Sequence, residues 1–282
     1  MVLESLTTPL KAKKKPGNMF FLGFFYASAA LFLGNWIFKE YASLIMVFLT
    51  TMACIPLLYK TMTFEEKKDI QLESESNILK EHSKAITFLT FLFLGIMSAF
   101  VFWYVILPSS FVQNSFHSQT ITIQSINTRI TGDALYIKTF TRILLNNLKV
   151  LIFCILFSFL YGAGAIFILT WNASVIAAAI GNYIRTNITF YAASTGMAKA
   201  GSYFQIVSLG LLRYLIHGIP EIIAYFLAGL AGGIISVAVI NETFGSKRFE
   251  KIILDSSDLI LLSVLCVILA AMVEVYITPL LF

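Results

Sequence analysis

The sequence predicts an all-α fold, a polytopic helical membrane protein with about six transmembrane helices and additional short re-entrant or interfacial half-helices. Of its 282 residues 58% are hydrophobic and only 12% are charged, and the mean hydropathy is +0.84. This composition is more apolar than that of a soluble domain. Six apolar runs have about the 20 residues that cross a ~30 Å hydrocarbon core. Each run must be helical, because an open sheet leaves backbone groups unpaired in lipid. The runs are 19–38, 41–59, 85–107, 149–170, 219–240 and 259–282.

Residues 1–107 are expected to form an N-terminal region of three spans. Basic residues favour the cytoplasmic side of a membrane, so a lysine cluster before the first span predicts a cytoplasmic N-terminus. The charged connector 60–84 falls on the same side, and we interpret it as a solvated connector rather than a partner site. Only Lys39 and Glu40 separate the first two spans, which predicts a tight external hairpin. The lysine cluster consists of Lys11, Lys13, Lys14 and Lys15.

Residues 108–138 are predicted to form an external polar loop. The segment Thr120–Ile126 alternates polar and apolar residues, which is typical of a half-buried strand. Thr131–Asp133 offers a turn next to it. We therefore expect a small external cap that contains a hairpin.

Residues 139–282 are expected to form a membrane core with an irregular middle. From Lys149 to Tyr183 the chain stays apolar for 35 residues, about 52 Å as one helix and too long for one straight span. Two half-helices, roughly Asn172–Tyr183 and Tyr203–Ile216, are favoured, since interrupted segments at membrane depth lie buried in protein or line cavities. One additional crossing is the alternative, and the distribution of lysine and arginine does not separate the two. The candidate break points are Gly162, Gly164 and Trp171–Asn172.

The last two apolar spans carry charged residues: His217 and Glu221 head one span, and Glu274 lies inside the next. A charged group in hydrocarbon is costly and is a functional-site hypothesis by default. Consecutive spans run antiparallel, so residues at equal depth lie equally far from the middle of the connection 241–257. This arithmetic places Glu221 level with Glu274, and His217 level with Thr278.

Pro220 precedes Glu221 and suits the first turn of a helix, where its missing amide hydrogen costs nothing. Glu221 is then expected at the positive end of the helix dipole, which favours a carboxylate. Small residues follow at every fourth position, and they predict close packing with another helix. This helix-packing stripe consists of Ala224, Ala228, Gly232 and Ser236.

Two level carboxylates in a low dielectric repel each other unless one holds a proton or both share a cation, a histidine or an asparagine amide. The residues leave three interpretations open: a structural role in capping and hydrogen bonding, a proton or ion pathway, and acid–base or metal chemistry. The spacing of His217 and Glu221 is only a weak indication of a shared metal, because Gly218 and Pro220 make a regular helix between them doubtful. No metal or cofactor is expected. The predicted buried polar site comprises His217, Glu221, Glu274, Asn147 and Asn172, with Asn146 as a further candidate neighbour.

Well-defined motifs of membrane enzymes do not occur in the sequence, so no catalytic residue is assigned. It has no His-Glu-x-x-His zinc motif, no Gly-x-Ser-x-Gly elbow and no glycine-rich phosphate loop with its lysine. Cys54, Cys154 and Cys266 lie within apolar runs without metal spacing and are expected to be small buried hydrophobes. The net charge of +5 suits anionic lipid headgroups, and no nucleic acid partner is expected.

The same residues carry a resemblance to the stage II sporulation protein M family of integral membrane proteins. The sequence is similar to this family from about Phe140 onward, while the first three spans match in hydropathy alone. At Ala173 the family often has glycine. The matching elements are Asn146-Asn147, Gly162-Ala163-Gly164, Trp171-Asn172, Gly181, His217-Gly218-Ile219-Pro220-Glu221 and Val273-Glu274-Val275-Tyr276-Ile277-Thr278-Pro279.

The resemblance implies a non-enzymatic membrane protein that scaffolds or organises a membrane complex. The family's named member works with cell-wall-degrading partners during engulfment in spore formers, and the family also occurs in organisms that make no spores. We expect a multi-pass protein of the cell membrane that forms a homodimer through small-residue faces and meets other membrane proteins. The alternatives are a channel or transporter for protons, ions or a small solute, using Glu221, Glu274 and His217, and, more weakly, an intramembrane enzyme.

Overall fold

Helices make up nearly all of the structure, a computed structural model that describes residues 7–71, 75–130, 136–158, 163–190, 196–242 and 244–281. No strand occurs in these ranges, and the all-α prediction is confirmed. In the same ranges seven helices are long and apolar enough to span a membrane. The sequence indicated six spans, so the structure has one more candidate span than predicted.

Four helices form the N-terminal part of the bundle. The link between the first two spans is the tight turn that was expected, a 3-10 turn at Lys39–Tyr41. The charged connector is largely helical, because 60–71 and 75–84 extend the helices on either side of it. The helices are α1 (Pro9–Lys14), α2 (Asn18–Ile37), α3 (Ala42–Gln71) and α4 (Glu75–Ile106).

The segment 108–138, predicted to be an external loop, is mostly helical in its described residues, and the strand predicted at Thr120–Ile126 is wrong. Residues Thr120–Ile126 lie within a helix, where the Thr120 hydroxyl donates to the Phe116 carbonyl in the helical i to i−4 pattern. Phe116 and Gln119 are fully buried, so packing against the bundle outweighs the strand-like alternation. The turn predicted at Thr131–Asp133 lies outside the described residues. The two helices here are α5 (Ser109–Ser115) and α6 (His117–Ile130).

Three helices form the middle of the chain: α7 (Tyr136–Ser158), α8 (Ala163–Phe190) and α9 (Gly196–Asn241). Two of the candidate break points, Gly164 and Trp171–Asn172, lie inside α8, so the helix does not break there. The third, Gly162, lies outside the described residues. The half-helices Asn172–Tyr183 and Tyr203–Ile216 are wrong, because each is part of a longer continuous helix. The described residues contain one additional candidate span instead.

Packing keeps α8 continuous. Ala173, Ala177 and Ile180 are fully buried along one face of the helix. On the same helix Gly181 lies so close to the ring of Tyr104 in α4 that a Cβ there would overlap the ring. The stretch that was expected to form the half-helix Asn172–Tyr183 is therefore part of one continuous helix, held against its neighbours by small residues.

Helix α9 runs for 46 residues and contains Pro220 in its interior. The predicted helix start at Pro220 is therefore wrong. The proline ring cannot donate to the carbonyl of Ile216, yet the helix continues because its following residues, from Ala224 onward, are buried in the bundle. Glu221 does not lie at a helix N-terminus, and the dipole, which acts only within the first turn, does not stabilise its charge.

The last elements form an antiparallel hairpin with α9: α10 (Lys247–Met272), a π-helical segment (Val273–Ile277) and α11 (Thr278–Leu281). Pro279 cannot donate to the carbonyl of Val275, so one i to i−4 hydrogen bond is missing at the end of the π-helical segment. Thr278 bonds to the carbonyl of Val273 through both its N–H and its hydroxyl. Glu274 consequently lies in a π-turn, a geometry that is frequent at functional sites.

Candidate functional site

The hairpin of α9 and α10 brings two glutamates to the same depth. Thr278 Oγ1 lies 3.3 Å from His217 Nδ1, so the two residues that the hairpin arithmetic paired are in contact. Glu221 and Glu274 each lie four residues closer to the connection between the helices. Both are partly buried, and they are close enough to interact electrostatically.

Tyr225 is a member of this cluster that sequence reasoning missed. Its side chain is fully buried, and its hydroxyl donates to Glu221 Oε1 at 2.5 Å. The hydroxyl also lies within electrostatic range of Glu274 and Cys154. The signal that could have revealed it is spacing, since residues four apart share a helix face and a buried phenol needs an acceptor.

The hydroxyl of Thr278 joins the π-helical segment to α9. It lies 3.1 Å from the carbonyl oxygen of Val273 and 3.3 Å from Nδ1 of His217. This contact ties the ring of His217 to the end of the last hairpin.

Asn147 reaches the depth of the cluster from α7. Gly232 of α9 faces Ile155 and Ser158 of α7, and Asn147 and Glu221 each lie eleven residues before Ser158 and Gly232, respectively. The two helices run in the same direction, so this equal spacing places Asn147 level with Glu221. The buried face of α7 that carries it comprises Asn147, Leu151, Cys154 and Ser158.

The side-chain amide of Asn147 has an unpaired hydrogen-bond donor in the described part of the chain. The residue is 5% exposed, and its Nδ2 has no hydrogen-bond partner among the atoms that the structure describes. Such a buried donor is costly to leave unpaired. The adjacent Asn146 is exposed and does not take part.

Asn172 stands apart from the other predicted site residues. It lies in α8, and its buried Nδ2 also has no partner in the described part of the chain. No hydrogen bond joins it to Glu221 or to Glu274 there. The structure therefore groups His217, Glu221 and Glu274 with Tyr225 and Thr278. In the described part of the chain no contact joins Asn147 or Asn172 to this group.

The small-residue stripe is packed inside a single chain. Each of its four residues is buried, and a Cβ on Gly232 would come within 2.8 Å of the carbonyl oxygen of Ile155. The stripe thus lets α7 approach α9 closely, as small residues do between membrane helices. A homodimer must use another surface. The four residues are Ala224, Ala228, Gly232 and Ser236.

The described residues contain no group of three or more histidine, cysteine, aspartate or glutamate side chains that could hold a metal ion. Two small apolar cavities flank the cluster on other faces of α9. One is lined by Phe93, Gly218 and Ile222, and the other by Met62 and Gly229, among others. Neither is lined by the glutamates, so the polar groups lie between tightly packed helices.

A second buried cluster, which the sequence did not predict, joins α1 to α3 and α4. Lys13 Nζ lies 2.6 Å from Glu65 Oε1 and 3.3 Å from Glu81 Oε2. His82 Nδ1 lies 3.0 Å from Glu65 Oε2. The side chain of Glu65 is 0% exposed, so the interpretation of connector 60–84 as solvated is wrong here. The missed signal is the buried stripe of α3, which continues from Met62 to Glu65 at helical spacing.

Comparison with known proteins places most of the chain in one family. A family model described as Stage II sporulation protein M matches residues 86–279. The match covers α7, α9 and α10 with their polar cluster, and it extends the resemblance from Phe140 back into α4. The ionic cluster of Lys13, Glu65 and His82 precedes it. The chain has no significant match among curated proteins or among solved structures.

Proposed function

The chain belongs to the stage II sporulation protein M family, and on this basis we propose that it is a non-enzymatic protein of the cell membrane that scaffolds or organises a membrane complex as a homodimer. Seven helices in the described residues are long and apolar enough to span a membrane. The family is not known as an enzyme family. Family and composition together support a multi-pass membrane protein.

We place its N-terminus in the cytoplasm. The lysines of α1 precede the first span, and basic residues near spans favour the cytoplasmic side. With seven spans the connection between α9 and α10 returns to that side. Its Lys247, Arg248 and Lys251 then follow the same rule.

The observation that carries the scaffold proposal is the uncovered outer face of α7. Only 17% of its apolar span is buried by the rest of the chain. Tyr136 of α7 stacks on Tyr276 at a ring distance of 6.2 Å, which joins this face to the end of the α10 segment. The exposed apolar residues of α7 are Tyr136, Ile137, Leu145, Ile152, Phe153, Leu156 and Phe157.

A second copy of the chain is the occupant that we propose for this face. Closed two-fold symmetry is the commonest arrangement of homo-oligomers, and it pairs one patch with itself. The small-residue stripe is already used within the chain, so the dimer pairs larger side chains, among them Phe153 and Phe157, whose rings stack 5.8 Å apart.

Cysteine crosslinking in native membranes tests the dimer. In a Cys266→Ser background, Phe153→Cys should give a crosslinked dimer, whereas Phe25→Cys, exposed on α2, should stay monomeric. Equal crosslinking at both positions, or none at Phe153, would overturn this interface. The scaffold role fails if affinity purification captures no membrane partner and deletion leaves every membrane complex intact.

A channel or transporter for protons, ions or a small solute is the second candidate. The observation that favours it is the cluster of His217, Glu221, Tyr225 and Glu274 between α9 and α10. Flux in proteoliposomes tests it. Equal flux for the wild-type protein and for the variant with Glu221→Gln and Glu274→Gln would overturn this candidate.

A further inference from the structure

Helix α1 is held against the bundle by one of its lysines. The side chain of Lys13 is buried, and its Nζ lies 2.6 Å from Glu65 Oε1 of α3 and 3.3 Å from Glu81 Oε2 of α4. The neighbouring Ala12 is fully buried. Because these contacts reach two other helices, they fix the orientation of α1 about its own axis.

The other lysines at α1 face away from these contacts. The N–H of Lys15 donates to the carbonyl of Lys11 at 3.1 Å, so the helical turn extends one residue past Lys14. At 3.6 residues per turn, the three lysines lie within about 100° of one another around the axis. All three are exposed, and no ion pair joins them to another described residue. One side of α1 therefore presents three positive charges without a counter-ion in the described part of the chain.

The depth of α1 follows from the two acids that bind Lys13. Glu65 lies six residues after the apolar run that ends at Tyr59, and Glu81 lies four residues before the run that begins at Ala85. At 1.5 Å per residue these separations are about 9 Å and 6 Å along the helices. The headgroup region of each leaflet is about 5–8 Å thick outside the hydrocarbon core. Helix α1 therefore lies at the level of the lipid headgroups.

The charged side of α1 also carries an apolar residue. Leu10 is 56% exposed, and at helical spacing it lies next to Lys14 around the axis. A membrane surface accepts lysines and apolar side chains from the same helix, whereas a small soluble anion offers nothing to a leucine. The fixed orientation of α1 lowers the entropy cost of binding, since the lysines are already presented together.

We propose that Lys11, Lys14 and Lys15 form a binding surface for the anionic headgroups of phospholipids in the leaflet where the first span begins. Helix α1 precedes the family match at 86–279, so this surface belongs to the N-terminal region of the chain and does not depend on the proposed scaffold role. Its effect requires anionic lipid. In neutral lipid or neutral detergent the three lysines leave the stability of the protein unchanged.

Quenching of a fluorophore beside α1 tests the surface in the full chain. In a Cys266→Ser background, Gly17→Cys offers a labelling site, because a Cβ there meets nothing within 4 Å and Cys54 and Cys154 are buried. The quencher is phosphatidylglycerol or phosphatidylcholine that carries a nitroxide near its headgroup. The ratio of the two quenching constants should be about five or more at low salt, the factor for one lysine near an anionic surface, and should fall as salt is raised. A ratio of one, or no quenching by either lipid, overturns the proposal.

Charge-matched variants locate the effect on α1. Lys11→Gln with Lys14→Gln should lower the ratio severalfold. Lys247→Gln with Arg248→Gln, at exposed positions of α10, removes the same charge and should leave the ratio unchanged. Lys11→Arg with Lys14→Arg keeps the charge and should keep the ratio, which separates a loss of charge from a change of fold. Equal losses in the two glutamine pairs, or a loss in the arginine pair, would contradict a lipid-binding surface on α1.

Discussion

Tyr225 donates its hydroxyl hydrogen to Glu221 one turn earlier on α9, at an oxygen–oxygen distance of 2.5 Å. The bond lies within a single helix, so it does not depend on a contact with α10. The fully buried phenol therefore pre-organises Glu221 as an acceptor. Glu274 meets a carboxyl group whose orientation is already fixed.

Tyr225→Phe should destabilise the protein by about 1–3 kcal/mol, the usual cost of leaving a buried acceptor without its donor. Reversible unfolding in mixed micelles or bicelles measures the loss. The matched variant Tyr41→Phe changes an exposed phenol and should have no effect. If Glu221→Met, which removes the acceptor, reduced the cost of Tyr225→Phe to nothing, this bond would be confirmed as the cause; full additivity of the two changes would contradict it.

Gly232→Ala should destabilise the protein by about 1–3 kcal/mol, since the added methyl group comes within 2.8 Å of the Ile155 carbonyl and overpacks the contact between α7 and α9. Gly201→Ala is the control on the same helix, because a Cβ there meets nothing within 4 Å. It should be neutral or stabilise by up to ~1 kcal/mol through helix propensity. The same unfolding assay compares them, and equal effects would contradict the packing described.

Lys13→Met should be more harmful than its position near the N-terminus suggests. It leaves the fully buried Glu65 carboxylate without its ion-pair partner, and breaking a buried pair in this way costs about 3–5 kcal/mol. Thermal unfolding and limited proteolysis near α1 report the change. Lys14→Met, at an exposed neighbour, should be neutral, and adding Glu65→Gln to Lys13→Met should restore part of the loss. No difference between the two lysine variants would exclude the ion pair as a stabilising contact.

Gln119→Ala should loosen α6 from the bundle. The buried amide donates to the Ser43 carbonyl at 3.2 Å and to Ser174 Oγ at 3.0 Å, and each bond contributes on the order of 1 kcal/mol. Hydrogen–deuterium exchange across 117–124 should increase, with little change in α2. Gln113→Ala, at an exposed site of α5, is the control, and equal exchange in both variants would show that Gln119 does not hold α6 in place.

Contacts that follow from connectivity could be predicted from the sequence. The pairing of His217 with Thr278 needs only the antiparallel course of two spans and the position of their connection, and it is observed. The identity of the helices follows from apolar length. The role of Tyr225 was within reach of the same reasoning, because it depends on spacing along one helix.

Other features depend on partners distant in the chain, and local patterns predict these poorly. From the local sequence alone, the carboxylate of Glu65 is predicted to be exposed to solvent. Its partner Lys13 lies 52 residues earlier, so the local pattern does not reveal their contact. The strand-like alternation of Thr120–Ile126 is overridden in the same way, because the burial of Gln119 is decided by Ser43 and Ser174. Tertiary packing decides between helix and strand in such a segment.

The two prolines of the last hairpin have a mechanical consequence. Pro220 removes a backbone donor from α9 and Pro279 removes one after α10, and the hairpin register brings Pro220 level with Val275 and Pro279 level with Ile216. Both helices thus lack a backbone hydrogen bond within the same thin layer, the layer that contains the glutamates. Helix α9 is therefore easier to bend in this layer than in the packed stretch beyond Ala224.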